Sequence, residues 1–472
     1  MVRAEILSAM ATADHGLGRV DEAVVHGSEA IDIYVETGDR ELIGRSFTDM
    51  TDGLMWARRY RKVIKVASRG LSLLEGDRSA YRVRLLCQVA LITAAAGRYE
   101  AARDGFTEAV ALAQELGDPA LMVRVLSDRA VFHFYFFRLE DALADGRAAK
   151  DASTLPYPRS VEGWRLTWMA QALSILGRPV EASRIAKRLE PIADEIGQPD
   201  AVVNCVQMRA WIEFGKDFDL ARLEESLGHA VKPATSPVPP IDQMHWPSNV
   251  QAGGMAGMSL AQLSLVHFLR GEWDLASAEA EEAYRASFPS AGQGTMVGAL
   301  FRQRAYLGDR IGALALLDEA HGVLPSAGRP NTGGAWNMLL LVIEGLAVLG
   351  EREKVAALHH LVLELLTTGA VWTWTAPRFV RTAAGIAAAA AGEWTAAEHH
   401  FEVASQQAGV FPHRLEQVDI RRFRAMMLLD RARVSDRATA RALLGEAAEH
   451  YERFGMPRHR ALTERLLAAS VA

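Results

Sequence analysis

Apolar residues recur at helical spacing along almost the whole chain, in stretches that short glycine-containing breaks separate. In one such stretch, Val83 and Leu86 belong to an apolar stripe that stops at Gly97. Apolar residues three or four positions apart mark one face of an α-helix. Glycine ends a helix at low cost, because it accepts the left-handed backbone conformation of a helix cap. The pattern predicts helices from about 81 to 96 and from about 100 to 116, joined by a tight turn.

This pair of helices returns about every 40 residues, and each copy has a small residue five positions after its turn. Successive turns are separated by 37 to 42 residues, except for one step of 56 residues between Gly215 and Gly271. The clearest copies pair Gly18 with Ala23, Gly97 with Ala102, Gly177 with Ala182, Gly271 with Ala276, Gly308 with Ala313, and Gly392 with Ala397. A small side chain allows two helices to approach closely. The period therefore predicts an all-α array of stacked helical hairpins.

The turn from Gly97 through Tyr99 to Ala102 resembles that of the tetratricopeptide repeat (TPR), stretched from 34 residues to about 40. The resemblance implies a right-handed superhelical solenoid whose first helices line a concave groove. The Leu-Gly-Asp-Pro linker at 116–119 and the closing segment at 451–457 resemble a narrower group. That group comprises the C-terminal sensor arrays of bacterial MalT/LuxR-type STAND regulators and of ATPase-coupled adenylate/guanylate cyclases.

Those regulators carry an ATPase module outside the solenoid, and this sequence has no G-x-x-x-x-G-K-[ST] phosphate loop. We therefore expect a non-catalytic binding and regulatory solenoid, the sensor part of a bacterial signal-transduction or transcription-regulatory system. The alternative is a stand-alone adaptor that binds a peptide segment of a partner in its groove. We expect a protein or peptide partner, leave a small-molecule effector open, and assign no cofactor.

The long step predicts a division of the array. We expect an N-terminal array at 1–231 with about six hairpins, and a C-terminal array at 255–472 that ends in a closing helix at 458–469. Between them, 232–254 is rich in proline and glycine, which predicts a non-helical insertion. This insertion is either a hinge or lid, or a passive surface loop.

The groove prediction names eight residues. The residue at a fixed distance before the turn is an arginine in three consecutive units and a tryptophan in the next unit. These four residues should therefore form one column along the first helices. Guanidinium groups form forked hydrogen bonds to phosphates and carboxylates, so an arginine column suits an anionic ligand. The alternative pairs each arginine with a nearby acid, such as Asp128 four residues after Arg124. The groove candidates are Arg45, Asp52, Arg84, Arg124, Phe134, Tyr135, Trp164 and Gln171.

Aromatic residues mark the linkers of the second half. Trp246, Trp336, Trp372 and Trp374 lie between a second helix and the next first helix. We expect these connections to run along one edge, where tryptophans could stack a ligand or a partner's side chain. The alternative is that each ring fills the gap between units.

Composition narrows the function classes. The chain has 472 residues, is 50% hydrophobic and carries a net charge of -6, which argues against nucleic acid as the main partner. The two cysteines and the lack of a long apolar run predict free thiols in a cytoplasmic, non-membrane protein; the oligomeric state stays open.

We predict no catalytic or metal site: the pairs His359–His360 and His399–His400 fit no zinc motif and are expected to face solvent. The basic run 421–424 is expected to be a solvated face or a partner contact.

Overall fold

The structure is a computed structural model, which describes residues 1–56, 59–152, 158–196, 199–235, 257–286, 290–373, 375 and 377–470. Almost all of the described chain is α-helical, and consecutive helices pack against each other in pairs. The helices are α1 Val2–Gly16, α2 Val20–Thr37, α3 Arg40–Trp56, α4 Tyr60–Leu73, α5 Ala80–Ala95, α6 Tyr99–Leu116, α7 Pro119–Tyr135, α8 Leu139–Asp151, α9 Arg159–Ile175, α10 Pro179–Ile196, α11 Pro199–Asp217, α12 Leu220–Thr235, α13 Gly257–Arg270, α14 Trp273–Ala286, α15 Gln293–Leu307, α16 Arg310–Glu319, α17 Gly333–Val348, α18 Arg352–Ala357, α19 His359–Thr367, α20 Val380–Ala390, α21 Trp394–Val410, α22 Arg414–Arg431, α23 Asp436–Arg453 and α24 Pro457–Ala469. A short antiparallel pair, β1 Trp372–Thr373 and β2 Arg378–Phe379, precedes α20.

The turn signature works as the sequence predicts. Gly97 has φ +78°, a backbone conformation that favours glycine, and it separates α5 from α6. The small residues five positions after the turns are fully buried, at 0% exposure. They are Ala23, Ala102, Ala182, Ala276, Ala313 and Ala397. The prediction of an all-α array of helical hairpins is confirmed.

The helices form two compact units. Among the described residues, unit 1 contains those of 1–169, 187–202 and 233–235. Its core continues from one hairpin to the next, because turn residues pack against the following pair. The ring of Tyr99, at the start of α6, lies 5.2 Å from that of Phe132 and 5.0 Å from that of Phe136 on the next hairpin.

Unit 2 contains residues 170–186, 203–232 and those from 253 onward. Its first helices approach each other closely: a Cβ atom added to Gly294 of α15 would lie 2.3 Å from the carbonyl oxygen of Gly334 on α17. The β1–β2 pair is anchored within this unit. Trp372 Nε1 donates to the carbonyl oxygen of Ser174 over 2.7 Å.

The unit boundaries differ from the predicted division at 231, since unit 2 begins at Ala170 and includes 203–232. The insertion also starts later than predicted. Helix α12 runs to Thr235, because a proline removes one N–H donor without always ending a helix. Residues 236–254, on which the hinge or lid prediction rests, lie outside the described residues. The closing helix is α24, Pro457–Ala469.

Two further expectations concern the cysteines and the membrane. Cys87 and Cys205 are both free and buried, as predicted. Within the described ranges, no helix combines the length and apolar character needed to cross a bilayer.

Candidate binding site on the first helices

Four successive first helices of unit 1, α3, α5, α7 and α9, carry the predicted column. Each contributes one column residue and, four positions later, a second side chain on the same helical face. We call this set the first-helix column. It consists of Arg45 and Asp49, Arg84 and Gln88, Arg124 and Asp128, and Trp164 and Trp168.

Asp52 of α3 links two neighbouring hairpins. Its carboxylate accepts hydrogen bonds from Arg84 Nη2 and from Gln88 Nε2, both on α5. Arg124 Nη2 on α7 lies 4.0 Å from the same carboxylate. One acid therefore faces arginines of two following first helices.

The other arginines of the column also have acidic partners. Arg124 Nε donates to Asp128 over 3.2 Å, and Arg45 Nη2 donates to Glu41 over 2.9 Å. Burial raises the pKa of Asp128, and Arg124 offsets part of that effect. The column is thus a ladder of paired charges, which corresponds to the alternative interpretation of the arginines. It offers no uncompensated positive surface to an anion.

An aromatic patch completes the column at α7 and α9. The rings of Phe134, Tyr135 and Trp164 lie 4.9, 5.3 and 5.3 Å from that of Trp168. Trp168 is buried, whereas the other three rings are partly exposed. Trp168 was not among the predicted groove residues, although its position four residues after Trp164 indicates a shared helical face.

Gln171 lies on α9, three residues after Trp168. It is only 3% exposed. It belongs to unit 2, which includes the part of α9 from Ala170 onward. Its prediction as a groove residue is wrong, since a side chain so enclosed offers a ligand almost no surface.

First helices of unit 2 bury a charged cluster. Arg378 of β2, just before α20, has a side chain only 3% exposed. It donates to Glu344 over 2.9 Å, to Glu416 over 2.8 Å and to Asp419 over 2.9 Å. Arg422 of α22 donates to Tyr306 Oη over 2.6 Å.

Burial has opposite outcomes for two acids of this cluster. It raises the pKa of Glu416 to about 7, against the influence of Arg378. Burial also opposes ionisation of Asp419, but Arg378 and Arg422 outweigh it and lower the pKa of that carboxyl to about 2. The cluster holds unit 2 together from within and offers no surface to a partner.

The predicted aromatic ridge is wrong at two positions. Trp336 is 3% exposed and Trp372 is 0% exposed, so neither ring can stack a ligand from solvent. Trp372 instead packs 4.8 Å from the ring of Phe411, which matches the alternative that these rings fill gaps between units. Trp246 and Trp374 lie outside the described residues.

One member of each histidine pair differs from expectation, whereas His360 and His399 are exposed. His359 and His400 are 7% and 6% exposed, because each points back toward a neighbouring helix. Arg381 donates to His400 Nδ1 over 3.0 Å, and burial together with that guanidinium lowers the pKa of His400 to about 4. Across the residues that the structure describes, no group of three histidines, cysteines or acids is arranged to hold a metal ion.

Comparison with known proteins gives structural likeness alone. No family model and no curated protein sequence matches this chain. Among solved structures, a Rap protein complexed with competence and sporulation factor is 12% identical, with 90% of this chain and 97% of that chain covered and a TM-score of 0.48. The Cut9–Hcn1 assembly of the APC/C is 12% identical, with coverage of 100% and 97% and a TM-score of 0.42. The TPR domain of P58(IPK) is 13% identical, with coverage of 89% and 98% and a TM-score of 0.22.

These likenesses are too distant to transfer a function, so the assignment of the fold rests on the chain's own features. Those features are the paired helices, the left-handed glycine turns and the buried small residue that follows each turn. By these criteria the chain is a tetratricopeptide-like array of helical hairpins.

Proposed function

We propose that the protein is a binding array that captures an extended segment of a partner protein along the first-helix column of unit 1. The observation that carries the proposal is the partial exposure of polar side chains in helices that are otherwise largely buried. The side chains of Asp52, Arg84 and Arg124 are 27%, 29% and 37% exposed. Successive repeats therefore present hydrogen-bonding groups at a regular spacing, which suits an extended chain.

The charge balance of the column indicates the kind of segment. Partly exposed ion pairs contribute little to stability, at roughly 0–1 kcal/mol. The pairs of Arg84 and Arg124 can therefore exchange an intramolecular acid for a group of the partner. Because positive and negative groups alternate, a polar segment with both donors and acceptors fits better than a strongly acidic one.

The aromatic patch supplies an apolar anchor for the same segment. Phe134, Tyr135 and Trp164 surround Trp168 and keep part of their surface in water. Aromatic rings with a buried body and an exposed edge dominate the binding energy of many protein interfaces. We therefore place an apolar or aromatic side chain of the partner against this patch.

We further propose that such capture has a regulatory role, as the sensor part of a bacterial signal-transduction or transcription-regulatory system. The support is the likeness of the Leu-Gly-Asp-Pro linkers and the closing segment to such sensor arrays. A stand-alone adaptor uses the same column and is the second candidate. The two differ in the gene: an adjoining ATPase or cyclase module supports the sensor, and an independent transcript supports the adaptor.

The experiment is quantitative affinity capture from the source cells with the full chain, followed by titration of synthetic segments of the captured partner. Trp164→Ala and Arg124→Ala should each weaken binding of the segment. Arg147→Ala is the matched control, because Arg147 is exposed on the second helix α8 and forms no ion pair with the described residues. If all three variants bind the segment as the unchanged protein does, the column is not the binding surface.

A further inference from the structure

A pocket of about 400 Å³ lies within unit 2, where α22 and α23 meet the turn between α11 and α12. Its volume falls in the range of about 300–1,000 Å³ that is typical of small-molecule sites. Neither the repeat signature nor the proposed function involves this pocket. It therefore requires its own explanation.

Two helical stripes supply most of the polar wall. Arg414, Gln417 and Arg421 follow one another at positions i, i+3 and i+7 of α22, and so share one face of that helix. His450 and Arg453 occupy the last turn of α23. The basic run 421–424 was expected to be a solvated face or a partner contact, and its first residue, Arg421, lines the pocket.

The remaining wall comes from a part of the chain nearly two hundred residues away in sequence. Asp217 is the last residue of α11, and Phe218 follows it in the turn to α12 with φ +56°. Its ring stacks on Phe454 with 3.9 Å between the centroids and 18° between the planes. This stacked pair fixes the two sides of the pocket against each other, so the polar groups are held in place without a ligand.

The arginines of the wall are only weakly neutralised. The Arg414 side chain forms no hydrogen bond or ion pair with any described residue. Arg421 and Arg453 contact Glu446 at 2.9 Å and Glu449 at 3.1 Å, but in both pairs the acid is more than half exposed. Such pairs contribute roughly 0–1 kcal/mol, so a ligand can displace them at little cost. Arg414 also begins α22, where the helix dipole adds positive potential.

The state of His450 is consistent with a positive pocket. Burial lowers its pKa, and the nearby Arg421 and Arg453 lower it further. The ring is therefore neutral at neutral pH and can offer one donor and one acceptor. An anion beside it would favour the protonated form instead.

We propose that this pocket binds a small ligand that carries a phosphate or carboxylate group together with a hydroxyl or amino group. The anionic group contacts Arg414 and Arg421, because guanidinium forms forked hydrogen bonds to both oxyanions. The hydroxyl or amino group donates to Asp217, the one acid of the wall, which is also without a partner among the described residues. The stacked rings of Phe218 and Phe454 supply the apolar part of the same wall.

The test is isothermal titration calorimetry of the full chain with three probes: inorganic phosphate, glycerol 3-phosphate and glutamate. The first carries only the anion, the second adds hydroxyl donors to a phosphate, and the third adds an ammonium group to carboxylates. We expect glycerol 3-phosphate or glutamate to bind more tightly than inorganic phosphate, and the tighter of the two identifies the anionic group.

Three variants assign the binding to the pocket. Arg414→Gln should weaken the better probe by at least about tenfold, since a hydrogen bond to a charged group is lost. Asp217→Asn should weaken that probe but leave inorganic phosphate unchanged. Arg437→Gln, at an exposed position near the start of α23, makes the same charge change outside the pocket and should have no effect.

Because Arg414 is exposed and unpartnered, Arg414→Gln should fold normally, which circular dichroism checks. The proposal is overturned if none of the three probes binds at millimolar concentration. It is equally overturned if Arg437→Gln weakens binding as much as Arg414→Gln, since the effect would then be one of general surface charge.

Discussion

Tyr306 and Arg422 are joined by a buried hydrogen bond of 2.6 Å, although 116 residues separate them in the chain. Tyr306 lies on α15 and Arg422 on α22, so the bond connects first helices of well separated repeats. Tyr306 Oη also donates to Glu344 over 2.8 Å. The tyrosine hydroxyl therefore bridges a guanidinium and a carboxylate inside unit 2.

Tyr306→Phe should destabilise the protein by about 1.5–3 kcal/mol, because hydrogen bonds to charged groups are lost while those groups stay buried. Urea unfolding followed by circular dichroism measures this change. Tyr284→Phe is the control: Tyr284 Oη donates to Glu319 at an exposed site over 3.1 Å. If both variants lose a similar amount of stability, the buried bridge contributes no more than the exposed hydrogen bond does.

Stability should fall as the pH drops from 6.5 toward 4. Burial lowers the pKa of His413 to about 4 and that of His459 to about 3, both below the ordinary value of 6.5. The unfolded chain therefore binds more protons than the folded one in this range, which favours unfolding. Glu416 acts in the opposite direction, since its folded pKa of about 7 exceeds its ordinary value of 4.5. Three histidines outweigh it, because burial also lowers the pKa of His400 to about 4.

The variant His459→Gln isolates this effect. Losing one such group should reduce the dependence of the unfolding free energy on pH by up to about 1.36 kcal/mol per pH unit. His360→Gln, at an exposed position, should leave the slope unchanged. Equal slopes for the original protein and His459→Gln would contradict the assignment.

Gly294→Ala should destabilise unit 2 by about 1–3 kcal/mol, because the added methyl group would overlap the backbone of α17. For the matched control, Gly445→Ala, we expect a stability change of the opposite sign. Gly445 lies within α23 and nothing comes within 4 Å of a Cβ atom built there, so Gly445→Ala should stabilise by up to about 1 kcal/mol. Thermal unfolding of the two variants checks both signs.

The proline-rich insertion gives a prediction from sequence alone. We expect brief proteolysis to cut near Pro237 before it cuts any helix, since exposed irregular segments are preferred sites of cleavage. Mass spectrometry of the first fragments locates the cut. Should the first cuts fall within the helices instead, the insertion is not a hinge or a lid.

The array could be read from the sequence because its determinants are local. Gly97 and Ala102 lie five residues apart, and both the turn and the close helix contact follow from that spacing alone. The column positions followed from the same period. What pairs with each column residue did not, since Asp52 reaches Arg84 only after two hairpins have stacked.

Burial in unit 2 was missed for a related reason. Trp372 and His413 look like linker residues in the sequence, and only the packing of distant helices encloses them. The arginine pocket depends in the same way on Phe218 and Phe454, which meet through the stacking of repeats rather than through any sequence motif.

Asp419 has one further consequence for how unit 2 can be divided. It accepts from Arg378 over 2.9 Å and from Tyr451 Oη of α23. Trimming the chain before α23 would remove Tyr451 and open the cluster to water. Simple repeat arrays tolerate the loss of a terminal repeat, because each repeat contacts only its neighbours. We therefore expect this unit to unfold as one cooperative block, and shortened versions of it to need a substitute for the Tyr451 hydroxyl.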